Sequence, residues 1–245
     1  MKKKALSLSL TFLFTGPPAI AQILLGWDVN GIDVEEQLSP GTDYALGSKT
    51  TAANVESSNL TLGSGVNPST TSGQYGFKVS GGHETSSLTE AVNADHFFQF
   101  GITATPGYLL NLTSLDLFGQ SSGDGADSVA LLASTDDFAT SATLGSLTGI
   151  SGETGGFDTD GSGFGAVDLS GYANVETVSF RLYGWNTTSG GGITYVRNLN
   201  DSSLDDNDLV INGSVTPIPE LVSTFSVVAF LGSPLLFRRR PGKRA

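Results

Sequence analysis

The chain has 245 residues with 24 acidic and 12 basic side chains, a net charge of −12, and no cysteine. The absence of cysteine excludes a disulfide framework and a thiolate metal site, so the fold must be held by packing. Abundant Gly, Ser, Thr, Asn and Asp with a single Met disfavours helices and supplies turn residues, which points to an all-β chain.

The first element is Lys2, Lys3 and Lys4, followed by the apolar run Ala5 to Phe14, the breaker Pro17-Pro18 and Ala19-Ile20-Ala21. A positive start, a short apolar run and an A-x-A site predict a secretory signal peptide over 1–21, with Gln22 as the new N-terminus. The body, 22–216, keeps four basic residues (Lys49, Lys78, Arg181, Arg197) against twenty-three acidic ones, a net charge of −19. Phosphate backbones repel such a surface, so no nucleic-acid partner is expected, while neutral polymers and divalent cations remain compatible with it. A body of this length buries one core.

Short β-prone runs alternate with turn clusters along the body. The predicted strands are Ile23–Val29, Asn59–Leu62, Tyr75–Val79, His96–Thr103, Leu112–Phe118, Ser128–Ala133, Ala142–Leu147, Ala166–Leu169, Val175–Tyr183, Ile193–Asn198 and Asp208–Val215. The clearest alternation places Val178, Phe180 and Leu182 on one face and Thr177, Ser179, Arg181 and Tyr183 on the other; Phe98, Phe100 and Ile102 repeat it. Gly-rich stretches at Ser121–Gly125, Gly152–Gly165 and Ser189–Gly192 read as loops, and no fixed period suggests a solenoid or propeller.

Chemistry-bearing constellations are sparse. His96 beside Phe97 reads as a core or edge residue, His83-Glu84 as a solvated turn and Trp27 as structural. Neither G-x-S-x-G nor H-E-x-x-H occurs, and the carboxylates cluster in turns rather than on apolar strands, so no catalytic residues are assigned and no enzyme is expected. Asp158-Thr159-Asp160-Gly161 places oxygen donors as at the start of a calcium loop, which makes Asp158 and Asp160 candidate ligands for a structural calcium, the one cofactor considered. A Gly-Asp turn explains the same residues, and Leu169 stands where the closing Glu would be. Asp201, Asp205, Asp206 and Asp208 form a second acidic cluster. A sugar site needs an aromatic ring flanked by hydrogen-bonding groups, and Arg181, Tyr183, Trp185 and Asn186 are the candidates, with Tyr195, Arg197 and Asn198 expected on a neighbouring strand.

The last segment, 217–245, joins Pro217-Ile218-Pro219-Glu220 to the apolar run Leu221 to Phe237 and then to Arg238-Arg239-Arg240. The run is at the short end for a bilayer span, and the basic cluster after it favours a cytoplasmic end. This layout resembles the PEP-CTERM family of exported bacterial proteins, with Pro219 and Glu220 at the first two motif positions, Ser223-Thr224 after them and Arg238, Arg239 and Arg240 as the terminal cluster. Leu221 replaces the second motif proline. The resemblance implies a single transmembrane sorting helix, an exosortase-like partner, an inner-membrane intermediate and final placement at the cell surface or in the extracellular matrix. A second resemblance is to jelly-roll modules related to carbohydrate-binding modules. It lies in Leu115-Asp116-Leu117, the run Val129 to Phe138 with its Ser134-x-Asp136-x-Phe138 strand, Val178 to Trp185, Tyr195 to Asn198 and Leu209 to Gly213. Together these lead to an expected all-β, jelly-roll-type β-sandwich in a structural or matrix protein. The alternatives are a carbohydrate-binding module for extracellular polysaccharide and, behind it, a glycoside-active enzyme.

Overall fold

A computed structural model describes residues 22–29, 45–68, 74–79, 84–150, 156–158, 167–188, 192–197 and 207–219. The strands in chain order are β1 (Gln22–Trp27), β2 (Leu46–Gly47), β3 (Thr50–Thr51), β4 (Asn59–Leu62), β5 (Val66–Pro68) and β6 (Gln74–Val79). Then come β7 (Phe97–Thr103), β8 (Tyr108–Ser121), β9 (Ala126–Ser134), β10 (Ala142–Thr148), β11 (Gly156–Asp158), β12 (Val167–Asp168) and β13 (Ala173–Val175). Last are β14 (Thr177–Thr187), β15 (Ile193–Arg197) and β16 (Leu209–Pro217); among the described residues one helix, α1 (Leu88–Asn93), lies between β6 and β7.

Two antiparallel sheets form. The first runs β3-β1-β16-β8-β15-β6-β5, with β11, β12 and β13 also on β8; the second runs β10-β9-β14-β7-β4-β2. From β6 to β15, with β11 to β13 counted as one, the chain visits first, second, first, second, second, first, second and first sheet, and β16 returns to the first. The strand orders β6-β15-β8 with β11 to β13 beyond, and β7-β14-β9-β10, are those of a double Greek key, so the sandwich has jelly-roll topology.

β8 organises the first sheet. Its residues Leu115 and Ser114 pair with β12 while pairing also with β16, and Gln120 and Gly119 pair with both β11 and β15, so each edge of β8 carries its neighbours end to end. The last strand, β16, in turn pairs with the first, from Gln22↔Gly213 to Trp27↔Leu209.

The period-two pattern drives burial as the residues dictate. Val178, Phe180 and Leu182 of β14 are fully buried against Phe98, Phe100 and Ile102 of β7 and against Leu115, Leu117 and Ile211 of the opposite sheet. Ring contacts bridge the sheets, with Trp27 edge-on to Phe100 at 5.8 Å and Phe77 to Phe98 at 6.4 Å. Trp27 is structural: it is fully buried and its Nε1–H donates to the Ser58 carbonyl at 3.1 Å.

Several elements depart from the sequence reading, among them β11, a strand within the predicted Gly152–Gly165 loop. The Ser134-x-Asp136-x-Phe138 stretch is a loop, because β9 stops at Ser134 and both Asp137 (φ 54°) and Phe138 (φ 61°) adopt the left-handed conformation that ends a strand. A helix stands where none was assigned. Its signal is local: the Ser87 hydroxyl accepts from Glu90 N–H at 3.3 Å while the Glu90 carboxylate accepts from Ser86 N–H at 2.7 Å, a reciprocal cap around S-x-x-E. β8 and β14 also run well beyond their predicted ends, because polar residues such as Asn111 and Gln120 on the outer face of β8, and Asn186 at φ 57° near the end of β14, interrupt the apolar pattern without ending the strand.

Among the described residues no helix is long and apolar enough to cross a membrane. β16 continues to Pro217 and Ile218 N–H donates to the Gly107 carbonyl at 2.8 Å, which ties the start of the C-terminal segment to the sandwich. Pro219 follows, exposed; the signal-peptide stretch, Glu220, Arg238, Arg239 and Arg240 lie outside the described residues.

Candidate functional site: the outer face of the second sheet

Cross-strand register puts a row of side chains on the outer face of the second sheet: Thr61 (β4), Gln99 (β7), Arg181 (β14) and Leu132 (β9) stand opposite one another. Two residues along, Gly101, Ser179 and Ser134 form the next row, and Thr103 and Thr177 the one after. In the opposite direction come Phe97, Tyr183 and Ala130. One outer face thus grades from apolar to hydroxyl-rich over its length.

The apolar end is roofed. Ala91 of α1, Phe97, Ala130, Leu132 and Tyr183 form a buried satellite cluster, with Leu88, Phe138 and Trp185 packed on it half-buried. Tyr183 is 1% exposed and lies edge-on to Phe97 at 5.2 Å, so its ring presents no free face. Arg181 is sandwiched: its guanidinium carbon lies 4.3 Å from the Phe97 ring centroid and 4.0 Å from that of Phe138. Its Nε–H donates to Gln99 Oε1 at 2.7 Å and Nη1 to the Tyr183 hydroxyl at 3.3 Å. A planar, weakly hydrated cation stacks between rings in this way without a carboxylate partner.

Phe138 reaches Arg181 because the 134–140 loop is fastened from within. Asp136 accepts from Thr140 Oγ1–H at 2.7 Å, from Thr140 N–H at 2.9 Å and from Ser134 Oγ–H at 2.8 Å. These bonds, those from Thr140 foremost, hold the Asp136 carboxyl below its usual range. Glu90 is lowered in the same sense by Ser86, its backbone bond first.

The hydroxyl-rich end opens into a cleft of about 420 Å³ lined by Thr103, Thr105, Tyr108, Thr177, Glu56 and Glu176 among others. Thr105-Pro106-Gly107-Tyr108 is a tight turn closed by Tyr108 N–H to the Thr105 carbonyl at 3.1 Å. Gly107 at φ 91° supplies the conformation that Pro-Gly favours at its centre. Glu56 and Glu176 flank the strand end on its two sides: Glu56 N–H donates to the Thr103 carbonyl at 2.9 Å and Ala104 N–H to the Glu176 carbonyl at 2.8 Å. Both side chains are exposed. The Thr103 and Thr177 hydroxyls share a hydrogen bond, and Thr177 Oγ1–H reaches the Ile102 carbonyl at 3.1 Å. Because Thr103 and Thr177 belong to both the sheet face and the cleft, the two are continuous from Gln99 to Glu176. Four strand residues separate Gln99 from Thr103, about 14 Å.

The structure brings Arg181, Tyr183 and Trp185 onto one face, as the alternation requires. Tyr183 is inside, Trp185 is half-buried, and Asn186 is exposed beyond α1, its N–H donating to the Thr85 carbonyl at 2.7 Å and its Nδ2 to Ser128 Oγ at 3.4 Å. Tyr195 and Arg197 are not on a neighbouring strand: β15 belongs to the first sheet, paired with β6 and β8, and the Tyr195 hydroxyl donates to Gln120 Oε1 at 3.0 Å. His96 is buried, with Nδ1 3.4 Å from Thr85 Oγ1. The Asp158 backbone pairs with Phe118, whereas the Asp158 side chain and Asp160 lie outside the described residues, as do Asn198, His83, Asp201, Asp205 and Asp206. Asp208 is buried and accepts from Val29 N–H at 2.8 Å. Among the described residues no group of three His, Asp or Glu side chains could hold a metal. Glu56, Glu176 and Tyr108 escaped sequence reasoning because the first two stand outside any apolar pattern; the Pro106-Gly107 turn was their only local marker.

No family model matches the sequence, and no curated protein matches it. Among solved structures the chain is similar to a carbohydrate-binding module of family 29, at TM-score 0.38 and 9% identity over 79% of this chain and 90% of that one. A variant family 29 module in complex with cellulohexaose shows TM-score 0.37 and 9% identity over 78% and 91% of the two chains.

Proposed function

We propose that this is an exported, surface-placed binding module that attaches to extracellular polysaccharide without chemically altering it, through the groove from Gln99 to Glu176. The observation that carries this reading is the continuity of the polar sheet face with the end cleft. Over roughly 14 Å it lines up amide, hydroxyl and carboxylate groups beside the half-buried Tyr108 ring, the mix that a glycan's hydroxyls and apolar ring faces use. A span of that length accommodates a short oligosaccharide rather than a single sugar.

In this reading the 1–21 stretch directs secretion. The 217–245 segment, with its PEP-CTERM-like Pro219-Glu220 and Arg238 to Arg240, hands the chain to an exosortase-like enzyme and places the sandwich at the surface or in the matrix. The groove then gives such a matrix component its attachment.

Pull-down of the full-length protein on insoluble polysaccharides tests the reading, with Gln99→Ala and Tyr108→Ala as comparison variants. Retention by the wild type and its loss in both variants, with the sheets intact by far-UV circular dichroism, is the expected outcome. Release of reducing ends during incubation would replace it with the glycoside-active alternative, and no retention on any polymer would overturn it.

A further inference from the structure

The outermost strand of a sheet offers a row of N–H and C=O groups to any strand that can lie beside it, and most edges of this sandwich are blunted against that. Among the described residues β2 and β3 are two residues long, β5 is three and ends on Pro68, and β11, β12 and β13, outermost beside β8, are two or three residues each. β10 is the exception. It runs for seven residues, Ala142–Thr148, pairs among the described residues with β9 alone, and carries neither a proline nor a charge. No residue from Phe138 to Gly152 is charged, in a body that is otherwise strongly acidic, so two copies of the chain meet least repulsion along this edge.

The strand also matches itself. Thr143-Leu144-Gly145-Ser146-Leu147-Thr148 reads nearly the same in both directions. The bulge between Thr143 and Gly145 brings its phase into line: Leu144 and Leu147 both pack on the main core, while Thr143, Ser146 and Thr148 are exposed and stand opposite Leu132, Ala130 and Ser128 of β9. A two-fold axis normal to the sheet at Ser146 sets that residue against its own counterpart, Thr143 against Thr148 of the partner subunit, and Leu147 against the Leu144-Gly145 bulge of the partner subunit. Hydroxyls then face hydroxyls on one side of the new ladder and apolar groups face apolar groups on the other. We infer that β10 is a self-association edge, through which two copies of this chain pair antiparallel and join their six-stranded second sheets into one. The inference stands apart from the polysaccharide reading, to which it adds two grooves per particle and hence avidity on a polymer.

Because the chain has no cysteine, single cysteines report the pairing directly. Ser146→Cys, Thr143→Cys, Thr148→Cys and, as a control exposed on β8, Thr113→Cys are treated with a mild oxidant in the full-length protein. Facing residues of an antiparallel ladder lie about 4.5–5.5 Å apart, within disulfide reach. Ser146→Cys is expected to form a covalent dimer, Thr143→Cys and Thr148→Cys to cross-link when mixed but not alone, and Thr113→Cys to remain single. Sedimentation velocity supplies the non-covalent counterpart. The wild type is expected as a dimer that dissociates on dilution; Ser146→Lys and Ser146→Asp, each setting like charges face to face, weaken it about tenfold or more, and their equal mixture recovers it. Ser146→Cys reacting no faster than Thr113→Cys, a wild type that is monomeric at every concentration, or a dimer untouched by Ser146→Lys overturns the inference, as does a mixture of the two charged variants that stays monomeric.

Discussion

Phe97 and Phe98 are neighbours in sequence and part company in space. Phe98 joins Phe77, Phe100 and Phe180 between the sheets, where ring centroids lie 5.1 to 6.4 Å apart, Phe100 and Phe180 stacked and the others tilted, within the main apolar core. Phe97 faces outward into a smaller cluster closed by one short helix, a loop and a stacked arginine. Both rings are buried, but the first cluster is sealed by two sheets and the second by parts that each rest on a few bonds. An aromatic on the outward face of a strand is therefore no sign of a ligand platform: here it is the floor of a satellite core, and the open part of the face is the hydroxyl-rich end that carries few aromatics.

Truncating one ring in each cluster sharpens the contrast. Phe100→Ala leaves a cavity between the sheets and is expected to cost about 3–5 kcal/mol, read as a lowered denaturant midpoint. Tyr183→Ala opens a cluster that can partly collapse and should cost about 2 kcal/mol, with faster hydrogen exchange confined to α1. If Tyr183→Ala matches Phe100→Ala, the satellite is not a separate unit. Arg181→Ala removes the stack on Phe97 and Phe138 and is expected to cost about 1–2 kcal/mol without altering the sheets, as judged by far-UV circular dichroism.

The loop that delivers Phe138 adds a pH signature. Asp136, in the loop that carries Phe138, and Glu90, on α1, both have folded-state values held below the ordinary carboxylate range. Their stabilisation is complete above the unfolded value, near pH 4, and fades as pH falls through the lowered folded values. Melting curves between pH 7 and pH 3 should show a decline at the acid end that is shallower in Asp136→Asn. Smallest of all, Glu56→Gln and Glu176→Gln should leave the melting temperature unchanged, since exposed carboxylates without an ion-pair partner do not hold this fold.

Much of this architecture was legible where burial writes a period of two. The alternation in Val178 to Tyr183 and in Phe98 to Ile102 located the two central strands of the second sheet and their inward faces correctly. It could not show that Tyr183 would be roofed, because a strand pattern assigns a face and not what lies over it. The resemblance to jelly-roll modules mistook the Asp136–Phe138 loop for strand, since it matched residue types, while the side-chain hydrogen bonds and left-handed backbone that make the loop leave no hydropathy trace. Tyr195 went to the wrong sheet because sandwich neighbours are set by crossover topology. The cleft was invisible for the same reason: Glu56, Thr103 and Glu176 are far apart in sequence and meet only through the bridge of Val55 with Ala104 and the pairing of β7 with β14.

The pairing of β1 with β16 fixes the timing of assembly. Gln22 cannot find Gly213, nor Trp27 find Leu209, until nearly the whole domain has emerged from whatever releases it. Contacts of such sequence separation form late and make closure slow. A chain of this design stays unfinished, with an unpaired edge on both β1 and β8, until residues 209–217 arrive. The segment that follows Pro217 then leaves the domain at the strand that completes it, so anything acting on that segment meets a sandwich that has only just locked.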